Sequence, residues 1–225
     1  MQSNRMKDLF VKFPFGPSVN GAFYLRYSFK TTSTTCILCD STRRNLGARL
    51  EQIFQSPKSP QSAEVVNDPF LVISTVLHEY SSRTEMERSH LDRVVCHQEA
   101  KTGVALHSYD KSRYCDISEY STFKRDLHIL DAALVVFDRV CAFQVEVTNL
   151  LHRERVGFIR DCKHQGRPQW LQSVVRGTDR ASASLLLSMT LAEKRLRQLR
   201  TLSQRVQIQL SVVCNHPLRI SDGLR

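Results

Sequence analysis

Between Phe123 and Leu151 the apolar residues recur in a pattern that only a long helix satisfies. Phe123, Leu127, Leu130, Leu134, Phe137 and Cys141 follow one another at alternating steps of four and three, and Thr148 and Leu151 continue the series. Side chains at that spacing line one face of a helix with 3.6 residues per turn, whereas a strand would need alternation. One helix cannot bury such a stripe against itself, so other helices must cover it. Leu185, Met189, Ala192, Leu196, Leu199, Ser203, Val206, Leu210 and Val213 form a second 4-3 series over four heptads. It predicts a helix that begins between Trp170 and Ser184, runs to about Cys214 and packs in a bundle or coiled coil. Its packing seam is Leu185, Met189, Leu196, Leu199, Val206, Leu210 and Val213; Ala192 and Ser203 are its weak points. Gly166 and Pro168 break the chain between the two.

A third helix is expected upstream. Asn67 or Asp68 can cap it, and Pro69 suits a first turn whose N–H groups lack helical partners. Leu71, Val72, Thr75, Val76, His78, Met86, Leu91, Val94 and Val95 give it an apolar side, and Gly103 supplies a stop. Before Asn67 the character differs. Phe23, Leu25, Tyr27 and Phe29 alternate within Gly21 to Thr35, the period of a half-buried strand, after a turn at Gly16-Pro17-Ser18. Leu46, Leu50 and Ile53 are spaced for a short helix, and residues 55–67, with Pro57 and Pro60, form the best candidate linker. The expected fold class is therefore α+β, predominantly α. A small strand-containing part over 1–66 is followed by an elongated bundle of three long helices over 67–225.

The composition is that of a globular chain: 225 residues, 41% hydrophobic, with eight Gly and seven Pro. That excludes collagen-like and wholly disordered classes. The longest clear apolar run, Ala132 to Phe137, falls far short of the roughly 20 residues that span a bilayer. The first ten residues, MQSNRMKDLF, contain no apolar core of a secretory signal. Seven scattered cysteines do not form a disulfide framework and are expected to be reduced thiols. The chain as written is expected to be cytoplasmic.

Charge is uneven. The net of +10 divides into +5 over 1–66, −1 over 67–115, −1 over 116–160 and +7 over 161–225. Basic ends can meet phosphate, in nucleic acid or in anionic lipid headgroups, or can simply be solvated. Lys194, Arg195, Arg197, Arg200 and Arg205 concentrate this charge beside the last apolar seam. They read either as a solvated bundle face or as a membrane-proximal basic face. Aromatic residues for base stacking are missing there, so nucleic acid is the least expected partner.

Catalytic and metal signatures are sparse. No Walker loop, GxGxxG, GxSxG or HExxH occurs, so no catalytic residue is assigned and the chain is not expected to be an enzyme. Cys36 and Cys39 form the one CxxC, with no second pair at zinc-site spacing. Asp131 and Asp138, seven apart on one helix face, could contribute to a cation site. Other carboxylates on these helices, Glu85 among them, are expected to pair with nearby arginines.

The order of features, with the segments Asp68-Pro69-Phe70-Leu71, Glu99-Ala-Lys-Thr-Gly103 and Ser203-Gln-Arg205-Val-Gln-Ile-Gln209-Leu-Ser-Val-Val213, resembles the soluble region of fungal CorA-like magnesium-transporter proteins. The resemblance covers about residues 68–213. It implies an α/β N-terminal part, a long stalk-like last helix and homo-oligomerisation through the helices. It also implies a role in divalent-cation transport, with Mg2+ as the associated ion and an anionic membrane surface nearby. Location on the cytosolic side of a membrane would follow if the native protein continues into membrane-spanning helices. The family's two membrane helices and Gly-Met-Asn signature have no counterpart in these residues, so no pore or metal residue is carried over. A soluble helical interaction scaffold without a transport role is the alternative expectation.

Overall fold

The computed structural model describes residues 6–12, 21–28, 33–40, 48, 51–52, 68–102, 117–164 and 168–215. Three strands, β1 (Met6–Lys12), β2 (Gly21–Ser28) and β3 (Ser33–Asp40), form an antiparallel sheet in the order β1-β2-β3. Three long helices follow: α1 (Pro69–Thr102), α2 (Ile117–His164) and α3 (Pro168–Asn215). The fold is α+β and predominantly α. No described helix is long and apolar enough to cross a membrane.

Alternation governs the sheet. Phe23, Leu25 and Tyr27 are buried, while Arg26 between the latter two is exposed. Phe29 lies outside the described residues, as do the expected turn at 16–18 and linker at 55–67. The pairing Leu9↔Leu25↔Cys36 and Val11↔Phe23↔Leu38 puts the inward residues of all three strands on one face. β1 was not anticipated, because its apolar residues Leu9, Phe10 and Val11 run together and only the outer two share the inward face. The short helix expected over 46–54 is helical at its described positions 48, 51 and 52.

The described residues gather into two compact units, each assembled from separated stretches of chain. One comprises Met1–Thr84 and Ala142–Glu193; the other comprises Glu85–Cys141 and Lys194–Arg225. The division expected between 66 and 67 therefore does not separate compact units: the sheet shares a unit with the first half of α1.

In the first unit the sheet's inner face meets α1 and α2 through aromatic rings. Tyr27 sits edge-on to Phe158 with ring centroids 4.9 Å apart, and Phe70 lies 5.6 Å from the same ring. Edge-to-face pairs place the positive rim of one ring on the negative face of the other, adding to their apolar burial. Ile73, Leu77, Leu151 and Leu185 are buried in the same unit. Lys7 ties β1 to α2, with its Nζ 3.0 Å from the Glu154 carboxylate and donating to the Glu154 carbonyl at 3.2 Å.

The core of the second unit contains the 4-3 apolar stripe of α2. Phe123, Leu127, Leu130, Leu134, Phe137 and Cys141 of α2 pack with Val95 of α1 and with Leu199, Leu202, Val206, Leu210 and Val213 of α3. Two residues assigned to the apolar side of α1 are not on it: His78 and Met86 are exposed. Each lies two residues beyond a buried position, Val76 and Thr84, about 200° around the helix, so their side chains miss the stripe.

Candidate interaction site: an alternating charge ladder

Asp68 begins α1 as a true cap. Its Oδ1 accepts the Phe70 backbone N–H at 2.9 Å, and its carbonyl accepts the Leu71 N–H at 3.0 Å. The other carboxylate oxygen accepts a bond at 2.9 Å from Nη2 of Arg155, a residue only 2% exposed, and Arg155 also donates to the Ser182 hydroxyl. A buried guanidinium is tolerable only with such partners, because desolvating an unpaired charge costs several kcal/mol. In the first unit this pair locks the start of α1 to the C-terminal part of α2.

The second unit carries a longer polar arrangement. Arg195 of α3 donates from Nε to Glu85 at 3.0 Å; Glu85 also accepts from Arg88 at 2.9 Å; Arg88 lies 3.7 Å from Asp92. Asp92 accepts from Arg205 at 3.1 Å, and Arg205 grips Glu99 with Nε and Nη2 at 2.8 and 2.6 Å. Cations and anions alternate from Arg195 through Glu85, Arg88, Asp92 and Arg205 to Glu99, three of each, so the ladder is neutral. The bidentate Glu99 contact raises the Arg205 pKa further above its ordinary value, and Glu85 does the same for Arg88. Arg205 also reaches Cys96 Sγ at 3.3 Å.

This geometry divides the basic series. Arg195 is buried at 4% exposure and Arg205 is half-buried, both engaged with carboxylates of α1. Lys194, Arg197 and Arg200 are exposed, with Arg200 3.9 Å from Asp138. The five residues therefore do not make one membrane-proximal face. What sets Arg195 and Arg205 apart is their pairing with carboxylates of α1, whereas positions 194, 197 and 200 are open to solvent. The signal for the ladder was present in α1, where Glu85, Arg88, Asp92 and Glu99 recur at steps of three, four and seven on one helix face.

The packing seam also differs by one residue in alternate layers. Leu185, Ala192, Leu199, Val206 and Val213 are buried as expected, but the intervening layers bury Ser188, Arg195, Leu202 and Gln209. Met189 and Leu196 are half-buried beside them, while Leu210 is buried next to Gln209. Three of those four intervening residues are polar and carry no hydrophobic signal in the sequence.

No protein-family model, curated protein or solved structure matches this chain.

Among the described residues no group of three His, Cys, Asp or Glu side chains could hold a metal ion. Asp131 and Asp138 are half-buried, and Asp138 has Arg200 beside it. Cys36 and Cys39 stand three apart on β3, so their side chains point to opposite faces of the sheet and cannot grip one ion together. Both are free thiols, as are Cys96, Cys141, Cys162 and Cys214. Cys115 lies outside the described residues. Burial pushes the Cys141 and Cys162 thiols up to about 12, which removes them as nucleophiles or ligands at neutral pH.

Proposed function

We propose that this chain is the non-conducting assembly or regulatory region of a CorA-like divalent-cation transporter, working through helix association and not through catalysis. One observation carries the reading: two of the segments on which the resemblance rests meet in the second unit, where Arg205 of the 203–213 segment binds Glu99 at the close of α1. A bidentate pair between those segments holds a stalk-like α3 in register against α1. The third segment, Asp68-Pro69-Phe70-Leu71, supports the same reading as the cap of α1. Mg2+ is the ion this role would serve. The described carboxylates offer it no three-donor site, so no coordinating residue and no step through the ion is assigned to this chain.

The second reading is a helical interaction scaffold, favoured by large apolar side chains that remain exposed on α2, such as Ile129 at 61%. Sedimentation velocity of the purified chain, with and without Mg2+, separates the two. A homo-oligomer whose size changes with millimolar Mg2+ is expected. A monomer in both conditions overturns the assembly role, and an oligomer indifferent to Mg2+ overturns the transporter reading in favour of the scaffold.

A further inference from the structure

The side of α2 turned away from the core of the second unit is not the polar surface expected of an outer helix face. Ile129, Val135 and Val136 are 61%, 47% and 44% exposed, and Ala132 is exposed among them. Such side chains in one cluster, in contrast to scattered single ones, mark a surface meant to be covered. The cations Lys124, Arg125 and Arg139 and the neighbouring His128 are exposed as well. At 100° per residue all of these positions fall within roughly 140° of arc, opposite the buried stripe of Phe123, Leu127, Leu134 and Phe137. Between positions 124 and 139 no exposed residue in that arc is acidic: Asp126, Asp131 and Asp138 are half-buried outside it, with Asp126 3.7 Å from Arg125, and the exposed Glu146 follows on the same side seven residues beyond Arg139.

We propose that this face docks on an anionic lipid surface. The charge pattern selects the occupant. A second copy presenting the same face would set cation against cation. A layer of phosphate headgroups over acyl chains satisfies both components, taking the cations at headgroup level and Ile129, Val135 and Val136 at the acyl boundary. The exposed arc extends about 22 Å along the helix from Lys124 to Arg139, long enough for one helix to lie in the interface plane. Nucleic acid would leave the apolar half of the face unused and finds no aromatic platform on it. This inference rests on the α2 face alone and does not require the transport reading.

Co-sedimentation of the full chain with vesicles tests it. Binding is expected to vesicles of phosphatidylcholine with about one third phosphatidylglycerol and to be absent for phosphatidylcholine alone, falling as salt is raised. Lys124→Gln with Arg139→Gln should weaken partitioning about twentyfold. Ile129→Ser with Val136→Ser should weaken it about tenfold. Lys194→Gln with Arg197→Gln, on exposed positions of α3, should leave it unchanged. All three variants alter exposed side chains, and a wild-type circular dichroism melt verifies their folds. Absence of binding to anionic vesicles overturns the proposal, including the case where the face instead captures an acidic protein helix. So does equal binding to neutral vesicles, or a loss that follows the α3 variant in place of the α2 variants.

Discussion

Arginine burial decides most of the residue-scale energetics of this protein. Glu85 and Arg195 are one ion pair with unequal surroundings: the Arg195 side chain is 5% exposed, the Glu85 side chain 45%. Removing either partner therefore has a different consequence. Glu85→Ala takes the carboxylate from a guanidinium that water cannot reach and also strips Arg88, and it should cost about 2–3 kcal/mol. Arg195→Met leaves Glu85 near water and bound to Arg88, fills the vacated volume with apolar atoms, and should change stability by less than about 1 kcal/mol. Urea unfolding of the two variants checks this, and equal losses would show that the ladder's worth lies in the pair and not in the desolvated cation. Asp8 illustrates the opposite regime. Hydrogen bonds from Arg26 and Tyr24 hold its carboxyl below the usual range, yet the group is fully exposed and water screens the interaction.

At the scale of the element, the long helices contain few internal weaknesses, and α2 has one that can be tested. Gly157 lies inside α2 between Arg155 and Phe158, where glycine's extra backbone freedom costs roughly 0.5–1 kcal/mol relative to alanine. A methyl group built at that position would meet only the flexible end of Lys7, with Nζ at 3.6 Å, an ordinary contact. Gly157→Ala should therefore raise stability by about that amount, seen as a higher urea midpoint with an unchanged slope. A loss would mean that the Lys7–Glu154 link is more tightly constrained than its geometry indicates. The stripe of α2 from Phe123 to Cys141 was legible in advance because its core-facing positions are apolar, whereas the buried Gln144 and Arg155 farther along the helix carry no such signal. The seam of α3 was legible only in alternate layers, because a buried serine, arginine and glutamine carry no hydrophobic signal although they occupy the same helix face.

For the molecule as a whole, two buried thiols couple folding to alkaline pH. Cys141 and Cys162 have folded-state pKa values of about 12, raised from 9.0 chiefly by burial. A raised pKa means that the folded state keeps its protons longer than the unfolded chain, so this contribution is complete below about pH 9 and is lost as pH climbs toward 12. Each thiol approaches a loss of about 1.4 kcal/mol per pH unit within that window. Urea midpoints measured from pH 7 to about pH 11 should fall more steeply for wild type than for Cys141→Ala with Cys162→Ala, and parallel curves would contradict the burial of these thiols. The sequence by itself determined the fold class, the three long helices, the capped start of α1 and the alternating strand β2, since each rests on local periodicity or end chemistry that neighbouring residues settle among themselves. It did not determine the partners of the charges. Nothing along the chain marks Arg195 and Arg205 as partners of α1, and only the approach of α1, some 110 residues earlier at Glu85, draws them into ion pairs with its carboxylates. The same holds for the compact units: helices that are single elements by their hydrogen bonding contribute their halves to different cores, because burial is settled by which surfaces meet, and no local stretch of sequence encodes that meeting.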